Sequence, residues 1–213
     1  MTNKIRVILV DDHAVVRAGY KTLLENTDDI EVIGEAETGE IACRIYNEKQ
    51  PDVMVTDLSM PGIGGLETIR RTVARNQNAK ILVFSMHEDI VFVEQALQAG
   101  ARGYITKNNA PDVLIDAIRS LATGETYLDS DIAQRLAFQK TRGSDTPFSV
   151  LSTREFEIFC MLAEGYNTSE ISKKLSLSYK TVANYSTQIK NKLHVSTVAE
   201  IARLAIRYNI VDA

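Results

Sequence analysis

Over residues 1–122 the chain alternates between two kinds of apolar pattern. Ile5-Arg6-Val7-Ile8-Leu9-Val10, Glu31-Val32-Ile33-Gly34, Val53-Met54-Val55-Thr56, Ile81-Leu82-Val83-Phe84 and Gly103-Tyr104-Ile105-Thr106 are short, mostly apolar and rich in β-branched residues. Strands buried on both faces read this way, since every side chain meets an apolar layer whichever way it points. The segments between them carry apolar residues at helical spacing, as in Val91, Val93, Ala96 and Leu97. Another such segment follows the last strand, with Val113, Leu114, Ala117, Ile118 and Leu121. Five strands alternating with five helices predict an α/β domain whose five-stranded parallel sheet is doubly wound by right-handed crossovers. In such a sheet the site lies at the carboxyl ends of the strands.

Residues 123–147 break both patterns. Gly124, Gly143, Pro147 and a run of Thr, Ser and Asp predict a linker. Within it, Asp129-Ser130-Asp131 followed by Ile132, Leu136 and Ala137 predicts one short capped helix. Residues 148–213 are purely helical in pattern and predict a small all-α domain. Ser152-Thr153-Arg154-Glu155 reads as a capping box, and Asn167 to Glu170 repeats the device with Asn at the cap. Four helices fit, over about 153–164, 168–175, 179–193 and 197–208.

Composition adds little to this picture until charge is divided along the chain. An apolar fraction of 45% and a charged fraction of 24% are ordinary for a soluble globular protein. No apolar run approaches the ~20 residues that cross a bilayer, and Met1 to Val10 lacks signal-peptide anatomy. The chain reads as cytosolic, with no membrane partner. Cys43 and Cys160 stand alone in helix-like apolar patterns, with no His close in sequence, and read as core filler rather than metal ligands. The net charge of −4 argues against a nucleic-acid binder, but it is an average of two unlike parts. From Phe148 onward eight Lys/Arg face six Asp/Glu, giving +2; residues 1–147 hold sixteen against twenty-two, giving −6. Between Ile171 and Ala199 stand Lys173, Lys174, Lys180, Lys190 and Lys192 with no acid among them. An acidic domain joined to one with a basic stretch indicates two functions.

Asp11 and Asp12 follow the first strand, Asp57 ends the third, Ser85 the fourth, and Lys107 follows the fifth. All converge on one edge of the predicted sheet. Three carboxylates in one pocket repel one another and need a cation to stay ionised together. Mg²⁺ suits them, being a hard ion that binds one or two carboxylates beside a phosphate. A carboxylate next to it can attack phosphorus and form an aspartyl phosphate, whose oxygens a lysine and a hydroxyl then hold. Taken singly, each carboxylate would be an ordinary loop residue or helix cap. His13, beside the acidic pair, fits a helix start or packing. Gly62, Gly64 and Gly65 match neither the G-x-G-x-x-G nor the P-loop spacing, which excludes a nucleotide-cradling loop and leaves them to ease a turn.

Residues 178–193 place Val182, Ile189 and Leu193 on one side of a helical wheel at ~100° per residue. Lys180, Asn184, Thr187, Gln188 and Asn191 fall opposite, with Lys190 and Lys192 on the flanks. Such a helix suits the DNA major groove, its amides and hydroxyls reaching base edges while the lysines neutralise phosphates. The short turn Leu175-Ser176-Leu177-Ser178 and the helix before it complete a helix-turn-helix. On the wheel alone, an amphipathic helix with a solvated polar face is the favoured reading, and only context reverses it.

Two resemblances bear on these readings. Asp11-Asp12, Asp57 with Met60-Pro61-Gly62 after it, Ser85, and Tyr104 three residues before Lys107 resemble the receiver domain of two-component response regulators, a flavodoxin-like fold. The resemblance implies that Asp57 is the phosphoacceptor for a sensor histidine kinase. It also implies that Asp11, Asp12, Asp57 and the backbone carbonyl of Ser59 hold Mg²⁺, with Lys107 and Ser85 in catalytic support. Ser85 and Tyr104 would be the switch pair, the hydroxyl moving toward the phosphoryl group and the ring turning inward behind it. Leu151-Ser152-Thr153-Arg154-Glu155, Gly165, Glu170-Ile171-Ser172, Lys180-Thr181-Val182, Ile189 and Lys192-Leu193 resemble the LuxR-type domain of the NarL/FixJ family. That implies a recognition helix beginning near Tyr179, on which Lys180, Thr181, Ala183, Asn184, Tyr185, Thr187, Gln188, Lys190, Asn191 and Lys192 meet double-stranded promoter DNA. It implies as well a last helix that joins a homodimer when the protein is phosphorylated. Tyr185 departs from the His of many members. Thr146-Pro147-Phe148, Tyr185 and Val211-Asp212-Ala213 are similar to the GacA/UvrY branch, which would imply control of small regulatory RNA genes. An Mg²⁺-dependent phosphohydrolase is the competing reading of the acidic site, but it usually needs a second Asp two residues on, where this chain has Ser59. An RNA-binding or protein-binding output competes with DNA for the second domain.

Overall fold

The computed structural model describes residues 4–108, 111–141 and 146–211. β1 (Ile5–Val10), β2 (Ile30–Ala36), β3 (Val53–Thr56), β4 (Ile81–Ser85) and β5 (Gly103–Thr106) form the predicted parallel strands. α1 (Ala14–Glu25), α2 (Gly39–Lys49), α3 (Gly64–Arg75), α4 (Ile90–Ala99) and α5 (Pro111–Thr123) connect and follow them. The strand order is β2-β1-β3-β4-β5-β6, so the sheet has six strands rather than the five expected. The sixth, β6 (Tyr127–Leu128), lies inside the stretch read as linker and pairs in parallel with β5. Two residues are too few to show a two-residue period, which is why the sequence pattern does not announce it. α6 (Ser130–Thr141) is the capped helix expected there; Gly143, also assigned to the linker, lies outside the described residues, as do Asp212 and Ala213.

Alternate residues of each strand enter alternate cores. Val7, Leu9, Val53, Val55, Leu82, Phe84 and Ile105 face Leu24 of α1 and Leu114, Ala117, Ile118 and Leu121 of α5. Ile8, Val10, Met54, Ile81, Val83 and Tyr104 face the other way, toward α2, α3 and α4. This is the double burial that removes the polar face from these strands.

The last domain begins with a 3-10 turn, Pro147–Val150, followed by α7 (Thr153–Ala163), α8 (Thr168–Lys174), α9 (Tyr179–Leu193) and α10 (Val198–Arg207). Both expected capping boxes form, Ser152 with Glu155 and Asn167 with Glu170, and a third joins Thr197 and Glu200. The core of these helices is continuous with the α2–α4 side of the sheet. Phe92 of α4 meets Phe156 of α7 edge-on at 5.4 Å between ring centres, and the fully buried Phe148 packs on Phe156 and Phe159. Gln95 of α4 donates to the Phe148 carbonyl at 3.0 Å.

Candidate functional site

Strand register assembles the acidic pocket. The chain runs outward from β1 to β2, then back across to β3, so the order reverses between β1 and β3, where α/β sheets place their sites. Val10 is the register partner of Thr56, which sets the next residues, Asp11 and Asp57, side by side. Ser85 partners Thr106, which brings Lys107 to the same edge. Lys107 Nζ donates to Asp11 Oδ2 and to Asp57 Oδ2, each at 2.6 Å. Burial pushes the Lys107 ammonium toward its neutral form, but its hydrogen bonds to the two carboxylates outweigh this, and its pKa lies above the ordinary lysine value. Asp57 is buried, and its Oδ1 accepts from the backbone N–H of Leu58 at 2.6 Å and of Ser59 at 3.4 Å. Gly65 is needed at the start of α3, because a Cβ there would stand 2.1 Å from the Asp57 carbonyl oxygen.

Asp12 Oδ1 is buried without a hydrogen-bond partner, with the His13 ring nitrogen 3.0 Å away as an ion-pair contact. His13 stands at the N-cap of α1 and its backbone N–H donates to Asp11 Oδ1 at 2.7 Å, matching a helix-start role. Among the described residues the compact group able to hold a metal is Asp11, Asp12 and His13, within 4.8 Å of one another. Asp57 joins this group through Lys107 rather than by direct approach. An orphaned carboxylate oxygen beside a second carboxylate is a donor set suited to a hard divalent cation.

Ser85 and Tyr104 are both fully buried, and both end on His87, which the sequence pattern did not single out. The Tyr104 hydroxyl donates to the His87 carbonyl at 2.7 Å, and the His87 N–H donates to Ser85 Oγ at 3.5 Å. Burial raises the Tyr104 phenol above its usual value and so keeps it a donor. The His87 ring pairs with Ser59 Oγ at 2.8 Å and stacks on Phe92 at 3.9 Å between centres. Burial lowers its pKa, though the nearby Asp57 opposes this. A lone His between a strand and a helix carries no periodic signal. A cavity of about 440 Å³ opens beside this cluster, walled by Met60, Phe92, Phe156, Glu157, Met161 and Tyr166.

On α9 the predicted back is inside: Val182 and Ile189 are buried and Leu193 is half-buried. Lys180, Asn184, Thr187, Gln188, Asn191 and Lys192 are exposed; Thr181, Ala183, Tyr185 and Lys190 are half-buried. Two positions differ from the simple wheel. Lys192 Nζ donates to Glu155 Oε2 at 2.6 Å, so this lysine is tied to the capping box of α7. Tyr185 packs against the shared core, within electrostatic reach of Arg70 on α3. The Thr187 hydroxyl donates back to the Ala183 carbonyl at 3.1 Å, leaving its lone pairs outward.

An acceptor-type pocket at the sheet switch point, joined to a helix-turn-helix, defines a class. The chain belongs to the two-component response regulators with a LuxR-type domain: residues 7–119 match the response regulator receiver domain and residues 149–205 the luxR family of bacterial regulatory proteins. It is 41% identical to the response regulator UvrY of Escherichia coli (strain K12) over 98% of this chain and 97% of that one. It is 39% identical to the response regulator GacA of Pseudomonas aeruginosa over 98% and 99%. A structure of RcsB from Salmonella enterica serovar Typhimurium, bound to a promoter in the presence of the phosphomimetic BeF3⁻, aligns with a TM-score of 0.71 at 28% identity, covering 95% of this chain and 98% of that one. The protein is a DNA-binding transcriptional response regulator and, beyond the phosphorylation of its own receiver, not an enzyme. No helix among the described residues is long and apolar enough to cross a membrane.

Proposed function

We propose that Asp57 accepts a phosphoryl group from a sensor histidine kinase and that this modification controls binding of α9 to promoter DNA. The observation that carries the reading is the Asp57 carboxylate itself. It is buried at the switch point, with one oxygen held by the Leu58 N–H and the other on Lys107. In the transfer an Asp57 oxygen forms the new P–O bond as the P–N bond of the donor's phosphohistidine breaks. Lys107 then holds a phosphoryl oxygen, and the buried hydroxyl of Ser85 offers a second contact. Asp11, Asp12, Asp57 and the backbone carbonyl of Ser59 would hold Mg²⁺, which supplies charge neutralisation to the phosphoryl oxygens when bound. Residues 1–122 act as the receiver, 123–147 as the linker and 148–213 as the DNA-binding domain, working in the cytoplasm. Val198 and Ile206 of α10 are 41% and 40% exposed, an apolar edge fitted to pairing with a second copy of the phosphorylated protein.

The test is direct labelling. With acetyl phosphate and Mg²⁺ the wild type should gain one phosphoryl group that hydroxylamine removes, as an acyl phosphate requires. Asp57→Asn should gain none, and chelation of Mg²⁺ should prevent labelling. Full labelling of Asp57→Asn would refute the assignment.

A further inference from the structure

Among the described residues, the two domains meet at an ionisable contact that neither the acceptor pocket nor the recognition helix explains. Glu157, on α7 of the DNA-binding domain, points into the receiver and keeps only 12% of its side chain exposed. Its Oε1 accepts from the backbone N–H of Glu67, in the first turn of α3, at 3.3 Å. Ile63, at the N-cap of α3, supplies no side-chain hydrogen bond to that turn. A first turn leaves backbone N–H groups unpaired and carries partial positive charge, so an acid from elsewhere fits it. Gly64 makes the room: a Cβ on it would stand 2.6 Å from Glu157 Oε1.

Arg154, one helical turn before, completes the joint. Its Nη1 donates to Glu157 Oε2 at 2.8 Å and to the Ile63 carbonyl at 3.4 Å, while Nη2 donates to the Leu175 carbonyl at 3.1 Å. Glu157 and Arg154 therefore hold the receiver at Ile63 to Glu67. That segment continues directly from Asp57 through Ser59, and Gly65 within it rests on the Asp57 carbonyl.

We propose that Glu157 is an interdomain latch, capping the receiver's α3 from the DNA-binding domain and holding the closed arrangement while the segment after Asp57 keeps its present shape. The inference rests on the reading of Asp57 as acceptor only for what releases the latch; closure itself is a property of the unphosphorylated chain. Burial pushes the Glu157 carboxyl up to about 7, against the pull of Arg154. The other charged or titratable groups facing it are Glu67 and Arg70 from α3 and Cys160 from its own helix. A neutral acid still accepts at Oε1, so the cap does not need the charge.

The experiment uses the full-length unphosphorylated protein, with small-angle scattering for the separation of the domains and a duplex-binding assay to check that the DNA-binding domain stays intact. Glu157→Ala should lower the closing constant about tenfold, the range expected when a buried intramolecular hydrogen bond is lost. Molecular dimensions should grow. Glu157→Gln, which keeps the acceptor, should stay as compact as wild type. Gly64→Asn tests the other side of the joint: Asn tolerates the left-handed backbone at φ 73°, and its side chain occupies the position of Glu157. It should open the protein without altering the DNA-binding domain, and it decides the question if Glu157→Ala fails to fold. Folded Glu157→Ala and Gly64→Asn proteins with wild-type dimensions would overturn the latch. Opening by Glu157→Gln to the same extent as Ala would overturn the capping role.

Discussion

On α9 the exposed face and the charged flank call for different substitutions. Asn184 is exposed at the centre of the polar face, and an Asn bonds adenine through both its amide atoms, which discriminates by about 1–3 kcal/mol. Asn184→Ala should relax base preference at one position of each half-site and leave the salt dependence nearly intact. Lys190→Ala should weaken all sequences alike and lower the salt slope by about one unit. Lys192→Ala should lower the slope less, because its ammonium is already paired with Glu155. Selection of sites from random duplexes, followed by salt titration, reads all three; a shifted base preference in Lys190→Ala would mean that the helix docks differently. The residues that proved hardest to foresee share one property. Asp11, Asp12, Asp57, Ser85 and Lys107 sit at strand ends, and the strand pattern locates them. His87, Glu157 and the Lys192–Glu155 pair matter through contacts between segments 28 to 90 positions apart, which no local pattern encodes.

Among the elements, the best-foreseen are those with a chemical mark at an end. Ser152 and Asn167 place the starts of α7 and α8 because each side chain accepts from backbone groups that would otherwise be unpaired. β3 and β5 match their predicted bounds, since four-residue runs between polar breaks leave little freedom. β6 has only two half-buried residues and is defined by its neighbour β5, not by its own sequence. The 3-10 turn Pro147–Val150 is one of the elements that join the domains, through the Gln95 bond to the Phe148 carbonyl. Phe148 within it is fully buried against Phe156, Phe159 and Tyr208. Phe148→Ala should therefore destabilise the protein by about 3–5 kcal/mol through the transfer and cavity costs of a lost core ring. Chemical denaturation checks this, and a loss below about 1 kcal/mol would show that Phe148 is not core.

At the scale of the molecule, the receiver and the DNA-binding domain share one apolar core on the α2–α4 side, with Glu157 at its polar edge. A carboxyl whose pKa is higher when docked than when free takes up a proton on docking. Closure should thus be strongest below the ordinary carboxylate range, weaken as pH rises from there to about 7, and level off above it. Scattering of the unphosphorylated protein across that window should show wild type opening with rising pH, and Glu157→Gln should remove the trend. Asp57 and α9 lie in different domains, so regulation requires coupling between them. The decisive measurement is the affinity of full-length protein for its selected duplex site, with and without acetyl phosphate and Mg²⁺, beside Asp57→Asn. Wild type should bind tighter when phosphorylated by a factor in the usual range of allosteric coupling, about 5–150-fold, and Asp57→Asn should not respond. Equal affinity for fully labelled and unlabelled wild type, or a wild-type response from Asp57→Asn, would contradict it.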